Sequence, residues 1–155
     1  MGTNVMQGSA TGTAITSANL SVAAVAAAGT AAALGKVQRK HELAPREVVL
    51  LRDVADTLKS YSDVFGGSSY FAVVARNRPM DTLAEIAVQS GQAVTEEEAA
   101  LNFEKHALEL RQVAAGERLA EEEMSLLHEY FRALALTINR KLTSPGERPN
   151  SEPFQ

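Results

Sequence analysis

The stretch Thr95-Glu96-Glu97-Glu98-Ala99-Ala100-Leu101-Asn102-Phe103-Glu104-Lys105-His106-Ala107-Leu108-Glu109-Leu110-Arg111-Gln112-Val113-Ala114 decides the fold class. Thr95 followed by Glu98 has the three-residue offset of a capping box, in which a hydroxyl and a carboxylate satisfy backbone N–H groups that a helix start leaves open. Behind it, Ala100, Phe103, Ala107, Leu110 and Ala114 recur at three- and four-residue spacing and make one apolar ridge. A second ridge, Ala120, Met124, Leu127, Phe131, Leu134 and Ile138, runs on to Leu142, and Ser144-Pro145-Gly146 stops it. The two ridges are out of phase across Gly116, because extending the first would bury Glu117 and Glu121. Either the chain turns at Ala115-Gly116 into a hairpin, or one long helix over residues 95–142 shifts its contact face there. The absence of Pro, Asn or Ser beside Gly116 favours the single long helix, since a glycine inside a helix costs only about 1 kcal/mol relative to alanine.

Working back toward the N-terminus, Asp81 opens a short helix over residues 81–90 that carries Leu83, Ile86 and Ala87, and Ser90-Gly91-Gln92 ends it. Residues 66–79 read as a Gly-Ser turn and connector. The run Tyr70-Phe71-Ala72-Val73-Val74-Ala75 within it is expected to be helical or irregular, because the chain has no second strand candidate to pair with it. Pro45 sits at the first turn of a helix over residues 45–65, where Val48, Leu51, Val54, Ala55, Leu58, Tyr61, Ser62 and Phe65 share one face. These segments predict an all-α fold: an elongated helical hairpin or assembly subunit, with an alanine-rich N-terminal helix and a long C-terminal helix or helix pair.

The N-terminal segment is the unusual one. No charged residue occurs in the first 35 positions, and residues 14–40 read as a helix built largely of Ala, with Gly29 and Gly35 as its weak points. Lys36, Arg39, Lys40 and His41 place cations near its C-terminal end, where they suit the helix dipole and would equally suit a lipid headgroup region. Its length and composition are marginal for a bilayer, so burial against protein is the favoured expectation, followed by insertion under some conditions. Residues 1–13 are expected to be a flexible arm and residues 143–155, with three prolines, a flexible tail, leaving residues 14–142 as one helical unit. The start lacks the positive region of a secretory signal and the pattern of a myristoylation site.

The chain has 155 residues, a formal charge of −4, 5% aromatic residues and no cysteine. The missing cysteines remove disulfides and thiolate chemistry, and the few aromatic side chains mean that alanine supplies much of the packing. Alanine buries little apolar area, which points to stabilisation by partners. His41, His106 and His128 are dispersed and form no His-Glu-x-x-His pattern, so neither metal nor other cofactor is expected. Glu96-Glu97-Glu98 and Glu121-Glu122-Glu123 point to different sides of a helix and read as solvated faces. Gly66-Gly67-Ser68-Ser69 lacks the lysine of a phosphate loop. No catalytic constellation stands out, and a non-enzymatic role is expected. The basic residues between Lys36 and Lys59 are interrupted by acids and accompanied by no stacking aromatics, which argues against a nucleic-acid-binding domain.

Segment order adds a resemblance. The run from Ser21 to Gly35, the central Gly66-Gly67-Ser68-Ser69, the phrase Met80-Asp81-Thr82-Leu83-Ala84-Glu85-Ile86-Ala87 and the charged helices from Thr95 to Lys141 together resemble, in layout, the small internal virion (ejection) proteins of short-tailed phages. The resemblance implies a structural subunit of a homo-oligomer that lies inside the virion beside other assembly proteins and forms part of a channel for DNA, with nucleic acid met at most by proximity. Val25, Gly29, Ala33, Phe103, Leu110, Leu127, Phe131 and Leu134 are the residues expected to carry helix packing or the oligomer interface. The alternative is a soluble, cytoplasmic adaptor or regulatory protein that binds a partner through coiled-coil-like faces.

Overall fold

Thr16 fixes where the first helix starts: its hydroxyl accepts from the Asn19 N–H at 3.1 Å, so the helix opens at Ser17. The computed structural model describes residues 16–65, 79–90 and 95–143. It contains α1 (Ser17–Gln38), α2 (Pro45–Phe65), α3 (Asp81–Gln89), α4 (Glu96–Ala114) and α5 (Glu121–Thr143), with no strand among the described residues. The all-α expectation is met. The segments expected as an arm (1–13), most of the Gly-Ser connector (66–78) with its apolar run, and nearly all of the tail (144–155) lie outside the described residues.

The chain does not run straight through Gly116. Helix α4 ends in a two-bond cap: Gly116 N–H donates to Val113 C=O at 3.0 Å and Glu117 N–H to Gln112 C=O at 2.9 Å, with Gly116 at φ +84°. That backbone suits glycine, and the cap satisfies carbonyls that a helix end leaves open. Of the two alternatives for residues 95–142, the favoured single helix gives way to two helices, and the phase conflict between the ridges is resolved by a break. Ala120, expected to begin the second ridge, is exposed ahead of α5. Helix α1 closes in the same way, with Lys40 N–H on Val37 C=O at 2.9 Å and His41 N–H on Lys36 C=O at 2.8 Å. Here Lys40 takes the left-handed position at φ 65°, which stops the helix at Gln38, two residues short of the sequence expectation.

Packing is not sequential. Helix α2 lies chiefly against α4 and α1 chiefly against α5, while α1 also touches α2 and α3. A simple hairpin of α4 on α5 is thus not the main pairing. The core gathers Leu34 from α1, Leu51 and Leu58 from α2, Ile86 from α3, Leu110 from α4 and Phe131 from α5, all fully buried. Alanines fill the α1 side: Ala23, Ala27 and Ala33 have no exposed surface, and small side chains let α1 approach its neighbours closely. Helix α2 starts without a hydroxyl cap. Instead the Glu47 carboxylate accepts from the Ala44 N–H at 2.7 Å and pairs with Lys36 Nζ at 2.9 Å, which pins α1 to α2. The Ala44 N–H, together with Lys36, holds the Glu47 carboxyl below its ordinary pKa.

Candidate functional site

Of the eight residues expected at packing or oligomer interfaces, the structure brings six into the chain's own core: Ala33, Phe103, Leu110, Leu127, Phe131 and Leu134 are each at most 2% exposed. Gly29 serves the contact of α1 with α2, because a Cβ there would stand 2.7 Å from Leu50 Cδ2. Val25 alone points outward, 72% exposed. Gly29 and Ala33 are thus spent on contacts within the chain, and the surface α1 offers to anything else is a different one. Ala18, Ser21, Val22, Val25, Ala28 and Ala32 are exposed along it at three- and four-residue spacing. No charge interrupts this face before Lys36, whose ammonium is paired with Glu47. The helix is long and apolar enough to cross a membrane, and half of its most apolar window is buried in the bundle.

At the opposite end of α1 the two helix corners meet. Side chains drawn from the α1–α2 corner, between Val37 and Val48, and from the α4–α5 corner, between Val113 and Ser125, wall a groove of about 930 Å³, a size that accommodates small molecules or a short peptide segment. Its lining includes apolar side chains from both corners, Val37, Leu43 and Val48 on one side and Val113, Leu119 and Met124 on the other. Lys40, His41 and Glu42 belong to the α1–α2 wall, and Glu117, Arg118, Glu121 and Glu122 to the α4–α5 wall. Four carboxylates against two permanent cations give the groove a net acidic character. Both walls are held by the helix caps at Lys40 and Gly116, so the groove is shaped before anything enters it.

A third cluster is buried. His106 Nδ1 lies 3.0 Å from Glu109 Oε1 one turn along α4, and the Tyr130 ring of α5 covers the imidazole at a centroid distance of 4.4 Å. Glu109 is 6% exposed. Burial lowers the His106 pKa, outweighing the opposite pull of Glu109; the carboxylate can only accept, so Nδ1–H is the donor between them. Burial raises the Tyr130 hydroxyl above its ordinary pKa. This arrangement ties α4 to α5, which are not each other's chief packing partners. The carboxylate partner of His106 is visible in the spacing of the sequence, whereas Tyr130 is not, since its approach depends on the break at Gly116. A similar tie joins α2 to α3, where the Tyr61 hydroxyl donates to Glu85 Oε2 at 3.2 Å. Burial, with Glu85 and Asp81 adding to it, raises the pKa of that hydroxyl.

Among the described residues no three His, Asp or Glu side chains converge on a point where a metal ion could sit. Among the described residues the groove and the outer face of α1 differ in kind, one concave and acidic, the other flat and uncharged. Compared with known proteins, the chain matches no family model, no curated protein and no solved structure.

Proposed function

We propose that the protein is a structural subunit that joins copies of itself through the outer face of α1. The observation that carries this reading is the uncharged run Ala18, Ser21, Val22, Val25, Ala28 and Ala32, exposed over most of the length of α1. A surface helix of a protein that works alone ordinarily turns charged residues to water. Small side chains at this spacing let a second helix approach closely, so that dispersion contacts rather than ion pairs hold the seam. Taken with the resemblance in segment layout, the setting proposed for such an assembly is the interior of a virion, beside the path that DNA takes.

Sedimentation of the full chain over a range of concentrations, alone and with liposomes, tests the reading. Ala28→Glu is the variant to compare, because position 28 is exposed and a carboxylate there leaves the core intact. The expected result is a discrete oligomer for the native chain and a folded monomer for Ala28→Glu. A native chain that stays monomeric at about 100 μM contradicts the proposal. Flotation with liposomes, lost in the same variant, would redirect the α1 face to lipid. Deleting α1 would not serve, because α1 supplies Ala23, Ala27, Thr30, Ala33 and Leu34 to the core.

A further inference from the structure

The groove between the two helix corners stands apart from the α1 face and has its own chemistry. We infer that it is a docking site for a short segment of a partner protein that carries a cationic side chain beside apolar ones. Met124 and Val113, both less than a tenth exposed, and the half-buried Leu43, Val48 and Leu119 offer a non-polar lining at the level of the core. Above them the α4–α5 wall presents Glu117, Glu121 and Glu122 against the single cation Arg118. A lysine or arginine lying along that wall meets opposite charge while its neighbours settle on the apolar lining, and the fixed corners spare the complex the entropy of ordering them.

An anionic occupant fits less well. Helix α5 begins in this groove, yet its first turn carries Glu121, Glu122 and Glu123, which already oppose the positive end of the helix dipole. The α1–α2 wall contributes Lys40 and His41 beside Glu42, so the cationic and acidic sides of the groove differ. That asymmetry gives an incoming segment a preferred direction, with its own acidic or carbonyl groups toward Lys40 and its basic side chain toward Glu121 and Glu122.

The probes are acetyl-Leu-Arg-Leu-amide and acetyl-Leu-Glu-Leu-amide, titrated into the isotopically labelled full chain and followed by NMR. The expected result is saturable shifts of the Gly116 and Leu119 amides and the Met124 methyl with the arginine probe. Binding should be about tenfold weaker for the glutamate probe. In Glu121→Lys/Glu122→Lys the preference should reverse, with Glu121→Gln/Glu122→Gln as the milder pair if charge reversal perturbs the helix start. Equal shifts with both probes, shifts centred elsewhere, or none up to about 5 mM would overturn the proposal. Shifts of the same groove resonances on simple dilution would overturn it too, by showing that a second copy of the chain covers the groove. None of these outcomes depends on whether α1 joins copies.

Discussion

Exchanging the residue types at the two helix caps should move stability in opposite directions. Gly116 and Lys40 occupy the same place in the same motif, at φ +84° and φ 65°. A side chain in that conformation costs about 1–2 kcal/mol. A Cβ at Gly116 would meet nothing within 4 Å, so the penalty of Gly116→Ala is conformational alone. Against it stands the restricted unfolded chain, which returns about 0.4–1 kcal/mol when glycine is replaced. The net is a loss of about 1 kcal/mol for Gly116→Ala and a gain of similar size for Lys40→Gly, because the Lys40 side chain is exposed. For a chain of this length each corresponds to about 2–4 °C in Tm. Thermal unfolding followed by circular dichroism, with urea midpoints as a check, reads both. Destabilisation by Lys40→Gly would mean instead that the lysine side chain contributes more than its backbone conformation costs.

Other perturbations test the core and the buried polar groups. Phe131→Ala removes a fully buried ring at the centre of α5 and should cost about 3–5 kcal/mol, measured as a lower urea midpoint. Thr30 Oγ1 is buried without a hydrogen-bond partner, so Thr30→Val should leave stability unchanged or raise it by about 1 kcal/mol; a loss of that size would show that the hydroxyl is satisfied in solution. The His106 pKa is lowered in the folded chain, so the unfolded chain binds the proton more readily. Stability should therefore fall as pH drops through the ordinary histidine value of about 6.5 and continue to fall until the folded value is passed. In His106→Gln the drop over that window should be smaller, and an equal drop in both proteins would contradict the burial argument.

The ridges of α2, α4 and α5 are legible in the amino-acid sequence alone, because leucine and phenylalanine alternate with charged residues at helical spacing. Leu51, Leu58, Phe103, Leu110, Leu127 and Phe131 are buried as that spacing requires. The break at Gly116 is half legible, since the phase shift between the two ridges offers it as one of two alternatives. Local propensity permits a continuous helix through Glu117-Arg118-Leu119-Ala120, whereas the structure turns there and pairs α1 with α5 and α2 with α4. The orientation of α1 is not legible either. Alanine on every side gives the helix no polar face, so spacing does not say that Ala33 turns inward and Ala32 outward. The groove is invisible in the sequence for a related reason, as its walls are 65 or more residues apart and meet only through the non-sequential packing.

In the proposed assembly the outer face of α1 meets the same face of another copy. Because the chain has no cysteine, a nitroxide attached to Val25→Cys reports from one place alone. Val49→Cys on α2, also exposed, serves as the control position. Dipolar broadening between copies is expected for the label at position 25, removed by dilution with unlabelled protein and by Ala28→Glu, and none at position 49. An oligomer whose label at position 25 stays magnetically isolated would contradict it.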